Sequence, residues 1–137
     1  MPIHADIKTI RKEIGRLRAD LLEKYSTPEA YYARAKRKKD ALVFSEIIGV
    51  LQVALFICEF YDTFFLIFAS PRFKKHGLED VMTMVLNHYS YLGHVVTFCE
   101  LIDTIHDPEL RGYGDQMIKV LIKLLHTIDA VEEELQL

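Results

Sequence analysis

Residues 41–69, ALVFSEIIGVLQVALFICEFYDTFFLIFA, contain no proline and a single glycine, and they are the most apolar stretch of the chain. Few folds can use such a segment. Wound on a helix at about 100° per residue, Ser45, Gly49, Gln52, Phe56, Glu59 and Thr63 fall on one ridge, spaced by fours and threes. Of the polar residues, only Glu46 and Asp62 lie off it. A surface helix carries an apolar stripe on a polar cylinder. This one carries a thin polar stripe on an apolar cylinder, so it needs neighbours on most of its sides. The central helix of a bundle meets that need.

A membrane span is the rival. The length suffices, and basic residues precede the stretch as the positive-inside rule asks. Glu46, Gln52, Glu59 and Asp62 oppose it. Each carboxylate near mid-bilayer costs roughly 2.5–3.5 kcal/mol on insertion scales. The membrane is therefore not expected as a partner. The N-terminus lacks the charge-then-apolar pattern of a signal peptide, and a cytoplasmic location is expected.

A chain of 137 residues suits one domain. Its few glycines and prolines fall between periodic segments, which argues for an all-α fold. The expectation is a single-domain four-helix bundle over residues 1–137 with a long second helix, about 28–69, that could bend at Gly49. Helices two and three would form its centre.

The first helix is expected to open at Asp6 and run to about Lys24. Ile7, Ile10, Ile14, Leu17 and Leu21 form an a/d seam of barely two heptads. Such a seam either docks on its own domain or pairs with a second copy of the chain, making it a candidate self-association surface. Thr27-Pro28-Glu29 reads as N-cap, first helical residue and dipole-favoured anion. From Pro28, nothing in the sequence stops the second helix before Gly49.

A third helix is expected from about Leu78 to Ile105, with Glu79, Thr83, Asn87, Ser90, His94 and Thr97 as its polar ridge. His106-Asp107-Pro108-Glu109 would end it, and Arg111 to Gly114 would form a loop. The last helix would open at Asp115, with Met117, Val120, Leu121, Leu124, Leu125 and Ile128 on one face.

Charge is uneven. Residues 1–40 hold eleven Lys/Arg against six Asp/Glu, and residues 41–137 hold six against fourteen. Opposite-signed regions can attract within the fold or between subunits. The densest cluster is Arg34, Lys36, Arg37, Lys38 and Lys39, with Tyr25, Tyr31 and Tyr32 nearby. Cations interleaved with aromatics can track a phosphate backbone and stack bases, so this segment is a candidate for nucleic acid or an acidic partner. Consecutive charges on a helix also point all around it, as an ordinary solvated helix would have them.

Catalytic signals are sparse. Glu59 and Asp62, and Glu100 and Asp103, are Glu-x-x-Asp pairs that on facing helices could hold a divalent metal. The arrangement loosely resembles that of all-α nucleoside-triphosphate pyrophosphohydrolases, which implies metal-dependent phosphohydrolysis. Their acidic motifs are denser, and this chain has no second upstream pair. His106-Asp107 is similar to the dyad of HD phosphohydrolases, but Pro108 follows at a helix end. The helix order, with Arg111-Gly112-Tyr113 before a final amphipathic helix, loosely resembles HEPN-type bundles. Their RNA-cleaving arginine–histidine spacing is missing, since the first histidine after Arg111 is His126. No glycine-rich phosphate loop or glycine-flanked nucleophile occurs. Cys58 and Cys99 read as buried, reduced thiols.

The reading that follows is a non-enzymatic helical interaction protein, needing no cofactor, that self-associates or docks on a larger assembly. Nucleic-acid binding through residues 34–39 is the alternative, and the metal-dependent phosphohydrolase is a second.

Overall fold

The computed structural model describes residues 2–34, 37–68 and 95–135. Among these it is all-helical, with no strand: α1 (Pro2–Tyr25), α2 (Pro28–Arg34), α3 (Lys38–Phe68), α4 (Val95–Asp103) and α5 (Pro108–Leu135). Helix α1 packs against both α3 and α5, α2 lies on the start of α3, and α4 lies on α5.

Helix α1 begins earlier than Asp6, which sits exposed within it. Its seam of Ile7, Ile10, Ile14, Leu17 and Leu21 is entirely buried in the core of its own chain. Two helices already cover the surface offered above for pairing with a second copy. Each of these side chains contributes roughly 1.5–3 kcal/mol by leaving water, and an intermolecular seam would need that surface free. Ile47, Leu51, Ala54, Ile57 and Tyr61 of α3, and Leu121, Leu124 and Ile128 of α5, belong to the same core.

The chain then turns sharply. Ser26 adopts a left-handed conformation at φ 68°. Thr27 caps α2, its hydroxyl accepting from the Ala30 N–H at 3.1 Å and its carbonyl from the Tyr31 N–H at 3.0 Å.

The segment expected as one helix from Pro28 to Ala69 is described as two, with Arg37 in a bend outside both. Aromatic packing explains the break. The Tyr31 ring stacks on Phe44 with centroids 4.6 Å apart, and Tyr25 meets both rings edge-on at 4.8 and 5.4 Å. On an unbroken helix, Tyr31 and Phe44 would stand about 20 Å apart along the axis. Helix α3 itself runs continuously through Gly49.

Helix α5 starts at Pro108, not Asp115, so Arg111 to Gly114 are helical. Asp107 is its N-cap: Oδ1 accepts from the N–H groups of Glu109 at 3.0 Å and Leu110 at 3.3 Å, and its carbonyl accepts from Arg111 at 2.9 Å. Pro108 occupies the first helical position, where a missing N–H costs nothing. The two glycines do not break the helix, and Gly114 is where α4 approaches. A Cβ there would lie 2.5 Å from Ile102 Cδ1. Helix α4 ends within two residues of the expected Ile105. The rest of the expected third helix, and the Ser70–Gly77 connection, lie outside the described residues.

Candidate functional site

Among the described residues, the side of α3 turned away from the core is the surface that departs most from an ordinary solvated helix. Ser45, Gly49, Gln52, Phe56 and Glu59 are all exposed, as their common ridge implies, while Val43, Phe44, Ile47, Val50, Leu51, Ala54, Ile57, Cys58 and Tyr61 are buried behind them. The side chain of Thr63 lies outside the described residues. Leu42 and Glu46 join the exposed strip. Leu42 is 60% exposed and Phe56 54%, the two most exposed large apolar side chains among the described residues. Ile48, Val53, Leu55 and Phe60 flank them, half-buried. At the centre, Gly49 has no atom within 4 Å of where a Cβ would be. Single exposed apolar residues are ordinary; a strip with a bulky apolar residue two turns either side of a glycine is less so.

Helix α3 contains a stretch, Lys38–Asp62, long and apolar enough to cross a membrane, and 56% of its most apolar window is buried against the rest of the chain. A core helix with one face exposed has this profile.

Ion pairs fix α3 on α1. Arg11 donates through Nη1 to Asp62 Oδ2 at 3.1 Å and through Nη2 to Glu59 Oε1 at 3.4 Å. Both members of the Glu59/Asp62 pair are thus engaged by a guanidinium. An open groove of about 400 Å³ lies beside it, lined by Lys8, Arg11, Lys12, Gly15, Leu55 and Glu59. Glu100 is exposed on α4, and Asp103 meets Arg111 at 3.6 Å. No group of three or more His, Cys, Asp or Glu residues that could hold a metal ion occurs among the described residues.

Of the basic segment, Arg37, Lys38 and Lys39 are exposed at the α2–α3 bend, and none of the three has an ion pair among the described residues. Lys36 and the Arg34 side chain lie outside the described residues.

Sequence reasoning passed over Asp40. Its side chain is 4% exposed, the sole buried charged residue among those described. Its carboxylate accepts from the His106 N–H at 3.2 Å and the Asp107 N–H at 3.0 Å, tying the first turn of α3 to the start of α5. Asp107 in turn accepts from the Tyr31 hydroxyl at 3.0 Å. Glu109 accepts from Tyr25 at 3.5 Å and pairs with Lys24. Burial raises the Tyr31 phenol above its ordinary range, and its bond to Asp107 adds to the effect; burial and the Asp107 charge raise Tyr25 likewise. Both therefore stay protonated donors. The available signal was a lone acid after two lysines, opening an apolar helix where the dipole favours an anion. Its partners, 66 and 67 residues away, had no local signature.

Cys58 is buried, and burial pushes its thiol up to about 12, with the Asp62 charge adding. Cys99 is partly exposed and, like Cys58, free. The carboxylates of Asp40, Glu59, Asp62, Asp103, Asp107 and Glu109 are committed to N–H groups, hydroxyls or cations. The arrangement holds helices in register and presents one apolar strip.

No protein-family model matches the chain, and neither a curated protein nor a solved structure is significantly similar to it.

Proposed function

We propose that this chain is a non-enzymatic helical interaction protein whose docking surface is the outer face of α3. In this reading it is a single-domain four-helix bundle formed by α1, α3, α4 and α5, with α2 folded over one end. The observation that carries the reading is the exposure of Leu42 and Phe56 on the most apolar helix of the chain. Buried against a partner, each would contribute on the order of 1–2 kcal/mol. The strip between them is uncharged apart from Glu46, so desolvating it carries little electrostatic cost.

A photo-crosslinking residue at position 56, expressed in the native cell, tests this. A discrete adduct is expected from position 56 and none from position 119, on the outer face of α5. Equal labelling from both positions, or none from 56, refutes the reading.

A second reading is supported by Arg37, Lys38 and Lys39, three exposed cations at the α2–α3 bend. Contact with nucleic acid would release counterions, so affinity would fall steeply with salt. Replacing the three by alanine should then flatten that slope. Salt-independent affinity, or affinity unchanged in the variant, excludes it.

A further inference from the structure

We infer that the occupant of the α3 face is a second copy of this chain, packed antiparallel about a two-fold axis at Gly49. The inference rests on the proposed docking face and goes beyond it by naming the partner and its register.

The strip is symmetric about its glycine. Leu42 lies seven residues before Gly49 and Phe56 seven after, two turns or about 10.5 Å each way. An isologous interface requires that if one residue meets another, the second meets the first. An antiparallel pair centred on Gly49 satisfies this with the residues present. Leu42 meets Phe56 of the partner subunit, twice over. Ser45 stands opposite Gln52 of the partner subunit on the same side of the contact, where hydroxyl and amide can bond. The two glycines meet at the crossing point.

Gly49 itself points the same way. Glycine in a helix interior is disfavoured relative to alanine. At Gly114 the chain has an internal reason for it, since a Cβ would overlap Ile102. At Gly49 a Cβ would meet nothing within 4 Å. A bare position at the crossing point lets a second helix approach closely.

Charge selects the orientation. Arg37, Lys38 and Lys39 stand at and just before the start of α3, and Glu59, exposed and also paired with Arg11, lies as far beyond Gly49 as Lys39 lies before it. Running antiparallel about Gly49 brings the basic start of each helix alongside the acidic part of the other and opposes the two helix dipoles. Running parallel would stack Lys38 and Lys39 on their own copies and Glu46 on Glu46.

Purified full-length protein tests this by light scattering and disulfide trapping. A dimer is expected at high concentration. Gly49→Ala should raise the melting temperature of the chain yet weaken the dimer about tenfold. Gly112→Ala, also an open position, should raise the melting temperature and leave the dimer unchanged. In a Cys99→Ser background, Gly49→Cys should cross-link to itself. Leu42→Cys should cross-link only when mixed with Phe56→Cys, because its own copy would lie about 21 Å away, beyond disulfide reach. Self-linking by Leu42→Cys overturns the antiparallel register while leaving the face intact. A native monomer at every concentration overturns the inference. Position 49 then reports on the docking reading: reactive to a thiol reagent, it leaves the face open to another partner, and unreactive, it shows the face covered by the chain's own residues. A dimer that Gly49→Ala does not weaken also overturns the inference.

Discussion

Gly114 and Gly112 lie two residues apart on α5, and replacing each by alanine should move stability in opposite directions. Alanine is worth about 0.8–1.0 kcal/mol over glycine in a helix interior. At Gly112 nothing lies within 4 Å of the new methyl, so that gain should appear nearly whole. At Gly114 the methyl would sit 2.5 Å from Ile102 Cδ1, 2.9 Å from Cγ2 and 3.0 Å from Cγ1. The outer methyl could rotate away, but the two γ-carbons move only by a change of the stiff χ1 rotamer or a shift of α4. Ile102 is buried, so there is little room to retreat. Overpacking of this kind costs about 1–3 kcal/mol. The propensity gain is common to both variants and cancels in their difference. Gly112→Ala should therefore exceed Gly114→Ala in stability by about 1–3 kcal/mol, which in a domain of this size is roughly 3–10 °C in melting temperature. Thermal and urea unfolding of both variants measures it. Adding Ile102→Val removes the closest atom and should recover part of the loss, giving a coupling energy outside the error of additivity. Equal stabilisation by the two alanines, with no coupling to Ile102, would refute the close approach of α4 and α5.

Asp40→Ala should destabilise by about 2–4 kcal/mol, because it leaves the His106 and Asp107 N–H groups without their acceptor; urea denaturation checks this, and Asp40→Asn should lose less. Thr27→Ala should cost about 0.5–2 kcal/mol by uncapping α2, whereas Ser26→Gly should gain about 0.5–1 kcal/mol by relieving the left-handed backbone. The thiol of Cys58 should resist alkylation at neutral pH while Cys99 reacts, which mass spectrometry of labelled peptides reads directly. Above about pH 9 the unfolded chain releases the Cys58 proton and the folded chain, with its thiol near 12, retains it. The unfolded state then binds fewer protons, so stability should fall as pH rises through that window, and Cys58→Ala should make the decline shallower.

The helical class, the buried side of α3 and the seam of α1 were legible from spacing alone. Side-chain direction repeats with the helix turn, so a pattern of apolar residues records which side must leave water. The cap at Thr27 was legible for a similar reason, since a hydroxyl before proline acts within three residues. The same local grammar misread Asp107-Pro108-Glu109. It ends one helix and starts another, and the two glycines after it disguised the start. What Ile7 to Leu21 would face was also hidden: a seam of that kind suits a neighbouring helix of the same chain as well as a second chain.

By itself the sequence determined how each helix partitions between core and solvent, because that choice depends on residue type and angular position alone. It also placed Gly49 on the wet ridge. Tertiary structure decided the rest. Tyr31 had to reach Phe44, so the second helix broke at Arg37. Ile102 had to approach α5, so Gly114 stayed bare. Asp40 found its donors 66 residues away. These outcomes turn on distances between segments remote in the chain, which are set only when the segments pack.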